Sequence, residues 1–229
     1  YIKYYHKIKK ICEKLELEFL KNSEKEFQPL SLRFIMSGIN IEEFSNWILH
    51  IDADRNTTTS CKIGDNTHLS TAYTWDTTRN WALKPYIEDA IANNVITETD
   101  SNYFQLFSVA GTKDSIAFNA PRILEYNKSR SKLYTEARLS ILRLANFCIK
   151  YFKGFENAHI SNIASTLGVR VSNRIKGKYI YTYDDLINGK TFENPVLISN
   201  YPVDIHSIDK NSSILLYQKK PPFARWESI

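Results

Sequence analysis

The sequence predicts an α+β fold, a largely antiparallel sheet with flanking helices. Three observations predict it. Extended runs come in hairpin-like pairs, Tyr103–Ala110 with Ser115–Ala120 being the clearest. The helical periodicity is segregated from them, and it is strongest over 132–153. No internal repeat or low-complexity segment interrupts the chain, so the elements belong to one mixed architecture and not to a repeat array.

Residues 1–21 read as a helix, because Tyr4, Ile8, Ile11, Leu15 and Phe19 fall at helical spacing among charges. Residues 30–37 alternate partly, as a strand does, and stop at Gly38. Asn40 followed by Glu43 is an N-cap signature and opens a helix to about Ile51. Residues 52–75 are polar and read as a long loop with a short hairpin at its tip. A helix is expected over Thr78–Asn93, kinked at Pro85 or starting near Lys84. Gly111-Thr112-Lys113-Asp114 is a turn between the paired runs at 103–110 and 115–120. Along 132–153 an apolar stripe of Ile141, Leu144, Ala145, Cys148 and Phe152 ends before Gly154, a natural helix stop. Short extended pieces follow at 158–166, 174–182 and 212–218. Among them Thr182 and Asp185 form a capping box for a small helix that Asn188-Gly189 closes.

The 229 residues are 43% hydrophobic, enough for one sizeable core or a core with an appended helical layer. The chain starts at Tyr1, so the N-terminus is expected to be trimmed, and no apolar signal-peptide region follows. No apolar run approaches a membrane span, so no membrane partner is expected. Cys12, Cys61 and Cys148 form no Cys-x-x-Cys pair, which points to reduced thiols in a cytoplasmic protein and away from iron–sulfur ligation. The net charge of +5 is concentrated at Lys3, Lys7, Lys9 and Lys10. It reads as a solvated helix face or as attraction to an anionic partner, and it is too small to argue for nucleic-acid binding. Asp52, Asp54, Asp65 and His68 fit no calcium loop, because the required Gly and terminal Glu are missing, and no metal is expected.

A dinucleotide fingerprint needs a Gly-x-Gly-x-x-Gly turn between strand and helix, so that the backbone can approach a pyrophosphate. The seven glycines here are too widely spaced to form one. Against that absence stand several short motifs. Leu167-Gly168-Val169-Arg170-Val171-Ser172-Asn173-Arg174-Ile175-Lys176-Gly177 is followed by Tyr201-Pro202-Val203-Asp204-Ile205-His206. Phe27-Gln28-Pro29-Leu30-Ser31-Leu32-Arg33-Phe34, Tyr103–Val109, Phe118-Asn119-Ala120-Pro121-Arg122-Ile123 and Phe155-Glu156-Asn157-Ala158 precede them. Together, and in this order, they resemble the FAD-dependent oxidoreductases of the HdrA-like group over most of residues 27–206. Residues 1–26 match nothing in that group.

The resemblance implies the substrate-binding, or cap, domain of a flavoprotein over 27–229, preceded by an unmatched helical segment over 1–26. In that family the substrate domain is inserted into the flavin-binding domain, and both ends of this chain fall where such an insertion would be cut. FAD is therefore expected to be bound mainly by segments outside this chain, with no cofactor-binding residue assigned within it. The expected partners are a small-molecule substrate and that absent FAD-binding domain. The piece alone is expected to be inactive, while the whole protein is expected to orient a substrate for hydride transfer.

The resemblance puts Arg170, Arg174 and His206 forward as catalytic residues. Two arginines four apart can hold a carboxylate or phosphate through their planar forks, or offset charge on a reduced flavin. They can equally be ion-paired to Asp184, Asp185 or Asp204. His206 follows Asp204 by two, so in a strand the carboxylate can fix the tautomer of a general acid or base; a structural histidine is the plain alternative. Tyr201 either adds a hydroxyl or packs. Asn119 and Arg122 either line a substrate cavity, or cap a strand end and sit in solvent. Gln105 and Arg33 must be paired if they point inward, since an unsatisfied buried polar group costs about 1–3 kcal/mol. The alternative to the flavoenzyme is a stand-alone non-catalytic ligand-binding or interaction module with the cap-domain fold. A binder of anionic polymers is a third reading, supported by charge alone.

Overall fold

The computed structural model describes residues 10–20, 28–74, 79–124, 128–170, 174–198, 203–206, 213–216 and 223–225. In chain order the elements are a helical turn α1 (10–14), β1 (Phe19–Leu20), β2 (Leu30–Ser31), β3 (Phe34–Ser37) and α2 (Ile41–Ile51). Next come β4 (Thr59–Ile63), β5 (Asn66–Thr74), α3 (Lys84–Ala92), β6 (Tyr103–Ser108), β7 (Ile116–Phe118), β8 (Arg122–Ile123) and α4 (Arg130–Tyr151). The rest are β9 (His159–Ile163), β10 (Arg174–Ile175), α5 (Tyr183–Ile187), β11 (Pro195–Ile198), β12 (Val203–His206), β13 (Ser213–Leu216) and β14 (Phe223–Arg225). Every strand pairing among the described residues is antiparallel, so the α+β expectation holds. No described helix is long and apolar enough to cross a membrane.

The chain divides into two compact units. Residues 29–169 form nearly all of the larger one, and the smaller takes residues before 29 and after 169. The larger unit is built on a six-stranded sheet in the order β4-β5-β6-β7-β3-β9. Alternation decides its two faces. Phe34, Met36, Phe104, Leu106, Ile116 and Phe118 are buried, while their neighbours Arg33, Ile35, Gln105 and Ala117 are not. The buried face meets the helices. Phe34 stacks on Phe118 at 4.4 Å, Phe104 meets Phe147 of α4 edge-on at 6.1 Å, and Phe44 of α2 meets Phe152 at 5.6 Å. Each fully buried side chain of this size contributes roughly 1.5–3 kcal/mol, so this one-sided core holds the sheet and leaves its other face without a helical cover among the described residues.

The helix ends follow their sequence signals. Asn40 Oδ1 accepts from the Glu43 backbone N–H at 3.1 Å and caps α2. Pro85 lies in the first turn of α3, which therefore starts at Lys84 and is not kinked. Gly154, at φ +82°, lets the chain turn after α4 so closely that its amide region packs on Asn40; a Cβ there would lie 2.5 Å from the Asn40 carbonyl oxygen. The Asn40 N–H in turn donates to the Gly154 carbonyl at 2.9 Å, which fixes α2 against the end of α4.

Three expectations need correction. Of the extended piece expected over 174–182 only Arg174–Ile175 is strand, and residues 176–182 are irregular. The supposed loop over 52–75 is mostly a long hairpin of β4 and β5, with its turn at Gly64-Asp65. Its inward positions Leu69, Thr71 and Tyr73 are buried, and Thr71 is accepted there because Thr58 Oγ1 donates to its hydroxyl at 2.8 Å. The N-terminal helix is also shorter than its periodicity suggested. Among the described residues it stops at Lys14, and Phe19–Leu20 instead pair with Arg174–Ile175 as a two-stranded ladder. A distant strand supplies hydrogen bonds that the local pattern does not reveal.

The smaller unit is a set of two-stranded ladders, β1-β10, β11-β14 and β12-β13, with α5. The capping box of α5 is complete: Asp185 N–H donates to Thr182 Oγ1 at 3.2 Å, and Thr182 N–H donates to Asp185 Oδ2 at 2.9 Å.

Candidate functional site

The face of the large sheet opposite the buried core carries a continuous polar row. The pairing of Phe34 with Phe118 and of Leu106 with Phe118 sets Arg33, Asn119 and Gln105 side by side across three strands. The Asn119 backbone N–H donates to the Gln105 carbonyl at 2.8 Å, which extends the ladder one residue beyond β7. The Arg33 carbonyl accepts from the Ala164 N–H at 2.9 Å on the other side.

The side chains then fix one another's direction. Arginine has no acceptor, so the Asn119 oxygen must face it; Arg33 Nε donates to Asn119 Oδ1 at 3.2 Å. Asn119 Nδ2 is thereby turned to Gln105 and donates to its Oε1 at 3.2 Å. The Tyr103 hydroxyl donates to the same oxygen at 2.9 Å. The amide oxygens of Asn119 and Gln105 are thus engaged, and the row presents donors: the outer guanidinium nitrogens of exposed Arg33 and the Gln105 amide nitrogen. Arg122 closes the row from below. It is 5% exposed, and its guanidinium lies 3.7 Å from the centre of the Tyr103 ring.

Of the residues singled out in the sequence, Asn119 is half-buried and central to this row. Arg122 is neither in solvent nor in an open cavity, because Tyr103 covers it. Gln105 and Arg33 point away from the core and are linked through Asn119. Tyr103 was not singled out as a site residue; its place two positions from Gln105 in one strand was the available signal.

The signature segment begins on the same unit. Gly168 bridges to Ser31, with N–H···O distances of 2.7 and 3.1 Å, and a Cβ on Gly168 would fall 2.6 Å from Ser31 Oγ. The Tyr134 hydroxyl of α4 accepts from the Leu167 N–H and donates to the Ser165 carbonyl, both at 3.1 Å. The small side of the signature is thus explained by backbone approach. Arg170 is exposed, and Arg174, also exposed, stands in β10 opposite Leu20. Residues 171–173 lie outside the described residues. Asp185, one of the suggested partners, is occupied by Tyr179 Oη at 2.6 Å and Lys190 Nζ at 3.0 Å. The Tyr179 hydroxyl, the Thr182 N–H and Lys190 hold that carboxyl below its ordinary range. Asp204 and His206 occupy alternate positions of β12, opposite Leu215 and Ser213. Tyr201 lies outside the described residues. Among the described residues no group of three His, Cys, Asp or Glu side chains could hold a metal ion.

FAD requires a cradle for its pyrophosphate, and Gly38, Gly154 and Gly168 do not form one. The close approaches at Gly38, Gly154 and Gly168 are made to Asn157, Asn40 and Ser31 of this chain, so the space a Cβ would take is already filled by protein. The donor row, in contrast, suits contact with an acceptor-rich molecule lying on the sheet.

No curated protein and no solved structure matches this chain. The family model described as FAD dependent oxidoreductase matches residues 16–224, nearly the whole length, and the chain belongs to that family.

Proposed function

We propose that this chain is the substrate-binding, or cap, domain of an FAD-dependent oxidoreductase of the HdrA-like group, which covers the flavin and orients a substrate for hydride transfer. The observation that carries the reading is the donor row Arg33–Asn119–Gln105–Tyr103 on the face of the sheet opposite its buried aromatic core. A sheet held rigid from behind is a suitable floor for positioning a ligand. FAD supplies the redox chemistry in such an enzyme, and it is held mainly by segments outside this chain.

Within this reading Arg33, Gln105 and Asn119 bind and align the substrate, and Arg122 is a positioning residue that acts through the Tyr103 ring. Arg170 and Arg174 are proposed to offset developing negative charge. His206, oriented by Asp204, is proposed to hold or move a proton, and Tyr201 is proposed to add a hydroxyl. These roles rest on the signature motifs.

The test is the visible absorption spectrum of the product of the complete gene, beside that of this chain alone. A yellow gene product and a colourless chain are expected. Substitution of Arg170, Arg174 or His206 by Gln should then leave the flavin bound and slow its substrate-dependent bleaching. A gene product that stays colourless after addition of FAD would overturn the oxidoreductase reading and leave a ligand-binding module.

A further inference from the structure

We propose that Arg33 and Gln105 form a receptor for a carboxylate group on the substrate. The argument is one of hydrogen-bond direction. Because Arg33 cannot accept, the chain Arg33→Asn119→Gln105 runs one way only, and Tyr103 feeds its hydroxyl into the same Gln105 oxygen. The Gln105 oxygen takes two donors within the row, and the Asn119 oxygen takes one. The two ends of the row offer a ligand donors, the outer edge of a guanidinium and an amide N–H₂. No carboxylate among the described residues pairs with Arg33, and its side chain is exposed.

The Asn119 contact adds geometry. Taking up Nε fixes the plane of the guanidinium while leaving the two terminal nitrogens paired for a fork-to-fork contact, the arrangement that a planar carboxylate accepts best. Gln105, two strands away across Asn119, supplies a neutral donor beyond that fork, so a ligand that carries a carboxylate and a second acceptor spans the row. A neutral amide can accept from these N–H groups but lacks the charge and the second oxygen of a carboxylate, and a ligand presenting donors leaves them unsatisfied, so both bind less well.

The identity of the ligand as substrate rests on the substrate-domain reading; the carboxylate receptor does not, and its test needs no flavin. The full gene product is titrated with succinate and, separately, with succinamide. The readouts are the Arg33 Nε–H resonance, assigned by its loss in Arg33→Gln, and the dissociation constant. Succinate is expected to move that resonance and to bind at least about tenfold more tightly than succinamide. Arg33→Gln and, separately, Gln105→Leu should each weaken succinate by about tenfold, with an unchanged far-ultraviolet circular dichroism spectrum. Gln105→Glu, which keeps the length and reverses the charge, should weaken it further. Equal affinity for the two probes, or succinate binding that survives both Arg33→Gln and Gln105→Leu, would overturn the receptor. A colourless gene product that still selects succinate removes the oxidoreductase reading alone, and a yellow one without that selection removes this inference alone.

Discussion

Arg33 and Asn119, 86 positions apart in the chain, are joined by a 3.2 Å hydrogen bond from guanidinium Nε to amide Oδ1. That bond sets the orientation of Asn119 and, through it, of Gln105, so one arginine determines which atoms of the row face outward.

Replacing Asn119 by Leu should therefore act on two properties at once. It removes two side-chain hydrogen bonds at a half-buried position, where water can replace part of the loss, so stability should fall by about 1 kcal/mol. The guanidinium plane of Arg33 is also released, and succinate affinity should fall although neither proposed ligand contact is deleted. Urea unfolding at unchanged m-value checks the first effect, and the succinate titration checks the second.

Asp100 makes stability depend on acid pH. Burial acts to raise the pKa of this carboxyl, but hydrogen bonds from Arg143 and Ser140, and from the Thr97 backbone and hydroxyl, outweigh it and hold the pKa below the ordinary value. Arg143 contributes Nε and Nη2 at 2.7 and 2.8 Å, and the carboxylate is 2% exposed. A depressed folded pKa gives stability that is fully present above the unfolded value of about 4 and is lost as pH falls through the folded value. Acid unfolding should therefore steepen below about pH 4 in the native chain and lose that component in Asp100→Asn. Asp100→Ala leaves Arg143 without its partner. Because Arg143 is 38% exposed, the cost should sit near the lower end of about 3–5 kcal/mol, measured by urea unfolding at neutral pH.

Gly154→Ala should be costly despite its small size. The backbone is at φ +82°, and the new methyl would meet the Asn40 carbonyl oxygen at 2.5 Å and the Phe44 nitrogen at 3.0 Å. Left-handed strain alone costs roughly 1–2 kcal/mol, and the clash falls on the cap of α2. A lowered midpoint of thermal unfolding, larger than that of Gly111→Ala, is expected. The comparison is direct because Gly111 has a similar φ of +80° and open space around its missing Cβ.

Local chemistry was legible in the sequence. Asn40 with Glu43, Pro85 and the Thr182–Asp185 box each set an element end through atoms only a few residues away. The partial alternation over 30–37 marked a strand, whereas which face of it is buried was decided by packing on the helices. The β4–β5 hairpin was hidden because Thr71, a polar residue, fills an inward position with the help of Thr58. Over 15–20 the helical spacing misled, because the hydrogen bonds of Phe19 and Leu20 come from Ile175 and Arg174.

The same division runs through the candidate site. The sequence determined which polar residues border the strands, Asn119 and Arg122 by motif, Arg33 and Gln105 by their setting among aromatics. Tertiary structure alone decided what each of them does. Strand register brought Arg33 to Asn119 and Asn119 to Gln105, and the turn after Asn119 slid Arg122 beneath the Tyr103 ring. Local propensity acts over a few residues, whereas register is set by burying one whole face of a sheet, and the direction of a hydrogen bond between distant strands follows only once that burial is complete.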